Sequence, residues 1–367
     1  MLVLLSLILL PLAEFFGVGV KLLLNILIAI TEQIANIPFA NISVKTPSSI
    51  FICMYYLVLF LHIRKNAEKG RTEIQIINKV KNNLKYIITI ILIISIILYG
   101  IKIANPSTYI YFIDVGQGDS TLIITPQGKT ILIDGGGSEN YDVGKNILLP
   151  YLLDRKVTNL DYVIISHFDT DHVGGILTVL EELNVKKVIT GKQYESSENY
   201  EKFLRIVKEK NLLVKQVQKG DNINIEKHIQ IKVLFPEKEK IEENNINNNS
   251  LVFKLMYKDF SILFTGDIER ISEERLVKLY SNTNILKSTI LKVAHHGSKT
   301  SSIQEFLELV HPKIALIGVG KNNLYGHPNQ EIIERLKTIG IKIYRTDIDG
   351  EITIEVNKRI KIKKMLN

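Results

Sequence analysis

The stretch SHFDTDHVGG, Ser166–Gly175, places two histidines and two aspartates within six positions. His167, Asp169, Asp171 and His172 follow DYVIIS, a run typical of a buried strand, and precede a glycine pair that opens a helical pattern. Imidazole nitrogens and carboxylate oxygens at this density favour one divalent metal ion or a pair of them. The alternative is that an aspartate caps the following helix and the histidines are there by chance.

Three later stretches place similar side chains where apolar strands end. Asp267 follows LFTG, His295 and His296 follow ILKVA, and His327 lies in the tight loop LYGHP. Each has a structural alternative, since Asp267 can cap a helix, His296 can pack in a core and His327 can hydrogen-bond a turn. Because all of them lie at or just beyond carboxyl ends of strands, where α/β layers gather ligand sites, we predict that they meet the residues at 167–172.

The elements that would position these residues begin at about residue 105. YIYFIDV, TLIIT and KTILID predict β-strands, whereas ILTVLEEL, EIIERLKTIG and residues 198–210 predict helices. Residues 237–250 are charged and then rich in asparagine, which predicts an exposed loop. Strands with interleaved helices predict an α/β protein of two sheets flanked by helices, an αββα layering, over residues 105–367.

Residues 1–104 have a different character. Apolar runs at 1–30, 48–63 and 86–101 predict membrane passes, the first of them either one long pass or two broken ones. A signal peptide is the alternative for the first run and a buried helix for the second. Residues 64–85 contain seven Lys and Arg residues but only two Glu residues. Short basic loops stay on the cytoplasmic side of a membrane. The last pass would therefore carry the chain outward, so we predict a multi-pass protein of the cell membrane with an extracytoplasmic soluble part.

The net charge of +8 does not by itself indicate a nucleic-acid-binding surface. Residues 1–104 hold 10 of the 46 Lys and Arg residues and 4 of the 38 Asp and Glu residues, which leaves a net charge of only +2 for the remainder. The single cysteine, Cys53, lies in an apolar run. Disulfides and thiolate metal sites are therefore excluded from residues 105–367.

These motifs together resemble the metallo-β-lactamase superfamily. The resemblance is carried by HxDxDH from His167, LIDGG from Leu132, TGD from Thr265 and HHGS from His295. FIDVGQGDS from Phe112, with VAHHGSKTSS and YGHPN, is similar to the C-terminal domain of the ComEC family, membrane channels for DNA uptake in competence. The basic loop and its flanking apolar runs resemble the end of that family's membrane domain.

The resemblance implies a metallo-β-lactamase αββα sandwich at 105–367, preceded by transmembrane helices at 1–104 that are the remnant of a channel domain. It implies metal ligands from the motifs, namely His167, Asp169, Asp171, His172, Asp267 and His295. Asp169 replaces a histidine of the usual HxHxDH motif, and Asn249–Ser250 precedes a strand where relatives keep a further histidine. Oxygen ligands favour a harder ion, so Mn²⁺ is as plausible as Zn²⁺. The family's membrane half is larger than 1–104, so the chain resembles a truncated member.

The function implied is that of a membrane-anchored, metal-dependent nuclease or phosphodiesterase acting on DNA, with single-stranded DNA as the expected substrate and a DNA-uptake channel and other competence proteins as partners. Asp171 would accept a proton from water, Lys292 would meet phosphoryl charge, and His327 would donate to the leaving oxygen. Lys299 and Lys321 would add nucleic-acid affinity. One alternative is a hydrolase of small esters, lactams or phosphodiesters, and another is a non-catalytic domain that stabilises a channel.

Overall fold

The N-terminal part of the chain is described only in segments. A computed structural model describes residues 10–35, 49–67, 86, 89–91, 93–95, 100, 107–193, 196–238 and 246–366. Two helices lie there, α1 (Leu10–Ala35) and α2 (Ser49–Ala67). Among the described residues, no helix is both long enough and apolar enough to cross a bilayer, so the predicted transmembrane helices are not confirmed. Most of the basic loop, part of the predicted pass at 86–101 and part of the predicted loop at 237–250 lie outside the described residues.

The chain divides into two compact units, residues 1–45 and 46–367, and the second contains two large β-sheets. The first sheet has eight strands. In spatial order they are β17 (Ile360–Lys364), β16 (Ile352–Val356), β1 (Thr108–Phe112), β2 (Thr121–Ile124), β3 (Thr130–Ile133), β5 (Tyr162–Ile165), β7 (Val188–Gly191) and β8 (Val214–Val217). Strands β3, β5, β7 and β8 run parallel to one another.

The second sheet has seven strands. In spatial order they are β15 (Lys342–Arg345), β14 (Ile314–Ile317), β13 (Ile290–Lys292), β12 (Phe260–Phe264), β11 (Val252–Tyr257), β10 (Ile229–Phe235) and β9 (Asn222–Glu226). The four strands from β12 to β15 are parallel, so their carboxyl ends meet at one edge of the sheet. A separate parallel pair joins β4 (Asn159–Leu160) to β6 (Asn184–Val185).

Helices cover the outer faces of both sheets. They are α3 (Leu149–Asp154, entered through a π-helical turn at Gly144–Leu148), α4 (Thr170–Glu182), α5 (Glu198–Lys210), α6 (Arg270–Tyr280), α7 (Gln304–Val310), α8 (Gln330–Thr338) and the short α9 (Thr346–Asp349). On α4, Val173, Ile176, Leu177 and Leu180 are buried at helical spacing, which packs one stripe of the helix onto the first sheet.

Three apolar cores follow from this layering. The middle core lies between the sheets and joins Ile123 and Ile131 of the first sheet to Phe253, Leu255 and Ile262 of the second. The two outer cores pack each sheet against its own helices. Each fully buried Ile, Leu or Phe side chain contributes roughly 1.5–3 kcal/mol. The predicted α/β fold with αββα layering is confirmed.

Candidate metal centre

The residues of the opening motif follow strand β5, where the chain enters helix α4. The helix begins at Thr170, so Asp171 and His172 lie in its first turn instead of in a loop. Asp169 occupies the N-cap position, but its side chain makes no capping hydrogen bond among the described residues. The capping alternative therefore does not account for Asp169, which leaves its carboxylate available to a ligand.

Four buried side chains converge between the carboxyl ends of the two sheets. Asp119, His172, Asp267 and His296 each offer one ligand atom, and these atoms lie within 4.8 Å of one another. Asp119 comes from the β1–β2 loop, His172 from α4, Asp267 from the end of β12 and His296 from the turn after β13. Two imidazoles and two carboxylates form a donor set that suits a divalent transition metal ion.

Each of the two imidazoles of the cluster is oriented by a hydrogen bond at its Nδ1 atom. His172 Nδ1 lies 3.0 Å from an Asp134 oxygen, and His296 Nδ1 lies 2.7 Å from the Gly318 carbonyl oxygen. Because both partners accept, each ring carries a hydrogen on Nδ1, and Nε2 is the nitrogen directed at the cluster, where a metal ion would take the place of its proton. The two Nε2 atoms are 3.3 Å apart and each lies within 3.2 Å of an Asp267 oxygen.

The charges of the cluster also fit a cation. Burial opposes protonation of His172 and His296, yet Asp267 and its neighbouring carboxylates outweigh it and raise the pKa of His296 to about 10. The same carboxylates raise the pKa of His172 well above its usual range. Although burial opposes ionisation of Asp267, the two histidines and Lys292 hold its pKa well below the usual range. A site with this much buried negative charge attracts positive charge, which a divalent ion would supply.

Lys292 lies inside this cluster. Its Nζ contacts Asp119, lies 3.2 Å from Asp267 Oδ1 and donates to the Gly266 carbonyl oxygen at 2.8 Å. Those three partners match the three hydrogens of an ammonium group, and the side chain is 3% exposed. Burial opposes its charge, but Asp119 and Asp267 raise the pKa of Lys292. Lys292 thus neutralises the carboxylates and has no hydrogen left for a substrate.

His167 lies beside the cluster with one nitrogen free. The Ser166 hydroxyl donates to Asp134 at 2.8 Å, so His167 Nδ1 must donate to that hydroxyl, 2.9 Å away. Nε2 is buried without a hydrogen-bond partner in the described part of the chain and lies 3.7 Å from Asp169 Oδ2. Burial, and then His172, lower the pKa of His167 to about 4, so the ring is neutral at pH 7. A buried lone pair next to a carboxylate fits a second ion position.

The three remaining predicted site residues lie around the cluster. Asp171 Oδ2 is 3.1 Å from His296 Nε2, and hydrogen bonds and charge from the histidines outweigh burial to lower the pKa of Asp171. His295 turns away from the cluster, with Nδ1 3.3 Å from Glu269 Oε1 and its ring 5.5 Å from that of His327. Half-burial, and then His295 and His296, lower the pKa of His327 to about 4.

The ligand set predicted from the sequence lacks two residues of the cluster, Asp119 and His296. It also lacks Asp134, which orients His172. Asp119 and Asp134 belong to the motifs GQGDS and LIDGG, so glycine-flanked aspartates after strands were the available signal. His296 is adjacent to His295 in sequence, and backbone geometry separates the two. Both residues have left-handed conformations, with φ of +49° for His295 and +52° for His296. This turn sends consecutive side chains in different directions.

Close backbone approach explains the glycines next to the ligands. Gly118 has φ of +114°, and a Cβ there would lie 2.1 Å from the Asp171 carbonyl oxygen. A Cβ on Gly318 would lie 2.2 Å from Asp119 Oδ1. Any side chain at either position would therefore displace a residue of the site.

A buried carboxylate supports the segment that follows the histidine turn. Glu273 on α6 accepts hydrogen bonds from the backbone N–H groups of Ser302, at 2.7 Å, and Ile303, at 2.8 Å. Burial raises the pKa of Glu273 to about 7 despite these hydrogen bonds. The segment that follows HHGS is thus tied to the helix layer.

An open cleft of about 720 Å³ leads to the cluster. Its lining includes Asp171, Asp267 and His296 on the floor and Tyr141 and Tyr325 among its more exposed residues. Of the described residues that line it, none is Lys or Arg, whereas Glu139, Asp169, Asp171 and Asp267 are acidic. A polyanionic substrate would therefore be repelled from this cleft unless a cation occupied the cluster.

Comparison with known proteins shows which protein families the chain matches. The metallo-beta-lactamase superfamily model matches residues 113–321, and the competence protein model matches residues 1–67. The chain is 28% identical to ComE operon protein 3 of Bacillus subtilis over 92% of its length, and 30% identical to Recombination protein 2 of Haemophilus influenzae over 72%. It is 32% identical to competence protein ComA of Neisseria gonorrhoeae over 65% of its length. These alignments cover 43%, 31% and 30% of the relatives, so the chain spans less than half of each.

Proposed function

The chain belongs to the metallo-beta-lactamase superfamily and, within it, to the ComEC family of competence proteins, and from this premise we propose that it is a metal-dependent phosphodiesterase that cuts DNA. The observation that carries the proposal is the buried Asp119–His172–Asp267–His296 cluster at the floor of an acidic cleft. The carboxylates of Asp119 and Asp267 share the single ammonium group of Lys292, and a divalent ion would offset the remaining cost of burying them.

Each residue in and around the cluster has a separate role in hydrolysis. Asp119, His172, Asp267 and His296 would hold a divalent ion, which would supply Lewis acidity and lower the pKa of water in the cleft. Asp171 is ionised at neutral pH and lies at the edge of the cluster, where its carboxylate accepts a proton from the attacking water. His327 is neutral at pH 7, so it serves as a hydrogen-bond partner of the leaving oxygen instead of a charged acid. Lys292 acts on the carboxylates of the cluster and holds them in place.

Both the binding of DNA and its cleavage should depend on the metal. The described lining of the cleft is acidic and has no Lys or Arg, so phosphate affinity must come chiefly from bound cations. Lys299 and Lys321 are exposed and add a weaker attraction. They are close in sequence to His296 and His327, which line the cleft.

We further propose that the domain is anchored to the cell membrane and faces outward. The match of residues 1–67 to competence proteins supports a membrane setting, and the basic composition of residues 64–85 supports a cytoplasmic loop before residue 105. In this position the enzyme would act on DNA at the outer face of the membrane, beside an uptake channel and other competence proteins.

A nuclease assay on the full chain tests the proposal. The protein, purified in detergent, is analysed for metal and incubated with labelled single- and double-stranded DNA in Mn²⁺, Zn²⁺ or Mg²⁺. Asp171→Asn should lower the rate on DNA about 10²–10⁴-fold without loss of folding. Glu305→Gln, an exposed carboxylate on α7, is the matched control and should retain the wild-type rate. Equal degradation by wild type and Asp171→Asn would contradict the proposal, as would activity that survives complete removal of metal.

A further inference from the structure

Three aromatic rings extend from the cluster to the surface. His296 is buried in the cluster, and the ring of His327 lies 6.3 Å from it at an interplanar angle of 28°. The ring of Tyr325 follows at 6.0 Å and 26°. Because successive rings are nearly parallel and similarly spaced, they form a ladder that ends on the Tyr325 ring.

The outer end of this ladder is open to solvent. Tyr325 is 71% exposed and its neighbour Leu324 is 99% exposed, whereas the other two rings of the ladder are buried or half-buried. Tyr141 is 49% exposed and lines the same cleft from the segment before α3. Exposed aromatic and apolar residues beside a cleft are typical of a binding surface.

The loop that carries Tyr325 is held in place by one side chain. Asn323 Oδ1 accepts hydrogen bonds from the backbone N–H groups of Tyr325 and His327, each at 3.1 Å. Asn323 Nδ2 donates to the carbonyl oxygens of His327, at 2.6 Å, and Gly320, at 3.1 Å. The Tyr325 ring is thus presented on an ordered turn, which reduces the entropy that binding would cost.

From this ladder, which rests on the proposed function, we propose that Tyr325 stacks on an unpaired nucleobase and so selects single-stranded nucleic acid for the cleft. The base extends the ladder outward, and the strand continues into the cleft so that a phosphate further along it reaches the cluster. In a duplex, both faces of an internal base are already covered by its neighbours, so a base reaches Tyr325 only in a single strand or after it leaves the stack. Tyr141 is placed to contact the same strand from another part of the cleft.

The chemistry of the cleft favours a nucleic-acid strand over a purely apolar partner. An apolar ligand would gain nothing from the carboxylates and histidines beneath the ladder, whereas a strand offers a base to the ring and a phosphate to the cluster. Stacking does not depend on the identity of the base or on a 2′-hydroxyl group. The ring should therefore contribute equally to binding of single-stranded DNA and RNA.

Equilibrium binding tests the role of Tyr325 separately from catalysis. Full-length Asp171→Asn protein with Mn²⁺ is titrated into fluorescein-labelled 12-mers, and anisotropy gives the dissociation constant. Adding Tyr325→Ala should weaken single-strand binding about 5- to 150-fold, since one base–aromatic stack is worth roughly 1–3 kcal/mol. Tyr325→Phe keeps the ring and should bind like the parent. Leu213→Ala, an exposed apolar change on the segment between α5 and β8, is a further control.

Abasic 12-mers with the same phosphates make the test specific for the base. They should bind the parent as weakly as the normal 12-mer binds Tyr325→Ala, and the two changes together should cost little more than either alone. A blunt duplex should bind the parent less tightly and should be insensitive to Tyr325→Ala. Far-UV circular dichroism on heating should show unchanged folding, because the ring is mostly exposed.

Several results would overturn the inference. These are unchanged single-strand affinity in Tyr325→Ala, equal losses for normal and abasic 12-mers, and equal losses for single strand and duplex. Each of these results would show that the loop carrying Tyr325 contacts something other than an unpaired base, such as a protein surface. If base-dependent binding is found but wild type lacks metal-dependent hydrolysis, the proposed function fails and the stacking role stands. If hydrolysis is found without base-dependent binding, the stacking role fails and the proposed function stands.

Discussion

Replacement of Lys292 by methionine tests the role assigned to this residue. Methionine keeps the apolar stem but removes the ammonium group that contacts Asp119 and Asp267. The side chains of both aspartates are 5% exposed or less, so two buried carboxylates would lose a common partner. Removing one member of a buried ion pair costs roughly 3–5 kcal/mol, and we expect that loss of unfolding free energy in chelator.

The measurement is urea unfolding of the full chain in detergent with EDTA at pH 7. Far-UV circular dichroism is the suitable signal, because the protein contains no tryptophan. Added Mn²⁺ should stabilise Lys292→Met more than wild type, since the metal then supplies the missing positive charge. Lys278→Met, an exposed change on α6, is the matched control and should stay within about 0.5 kcal/mol of wild type. A loss of less than about 1 kcal/mol for Lys292→Met would refute the reasoning.

Three further predictions concern the cluster, the cleft and the helix layer. His296→Ala should abolish tight Mn²⁺ binding in calorimetry, whereas His295→Ala should keep the stoichiometry; equal losses would contradict the assignment of His296 to the cluster. Chelation should greatly weaken binding of single-stranded DNA by Asp171→Asn protein in anisotropy, because the described cleft lining lacks Lys and Arg; an affinity unchanged by chelation would place the DNA elsewhere. The pKa of Glu273 is raised from 4.5 to about 7 by burial, so the folded state binds the extra proton between those values. The stabilisation from protonated Glu273 is fully present below about pH 4.5, and up to about 3 kcal/mol of unfolding free energy is lost by pH 7. Glu273→Gln should flatten this decrease of the unfolding free energy with pH in unfolding titrations, and an unchanged pH dependence would exclude Glu273 as its source.

Much of the fold was predictable because burial leaves a periodic trace in sequence. The strand TYIYF buries alternate residues, and the helix from Thr170 buries one stripe, so each element shows its own period. The N-terminal apolar runs were less decisive. Hydropathy alone predicted passes at three apolar runs, but no described helix meets the requirements of a crossing.

The site was predictable only to the level of its motifs. Aspartates and histidines after strands indicated a metal centre, because parallel strands bring their carboxyl ends together. Sequence spacing could not separate His295 from His296, since a left-handed turn decides which ring enters the cluster. Nor could it show that Lys292 lies between two carboxylates contributed by distant loops. Such contacts depend on how the two sheets face each other, which local patterns do not encode.

The paired left-handed residues after β13 have a mechanical consequence. One backbone turn holds a ring that points inward to the candidate ligands and, next to it, a ring that rests on His327 at the mouth of the cleft. Since a single peptide unit joins the two rings, we expect a load on the mouth of the cleft to shift the inner ring. A spectroscopic probe of a metal ion bound at the cluster should therefore sense what touches the rim.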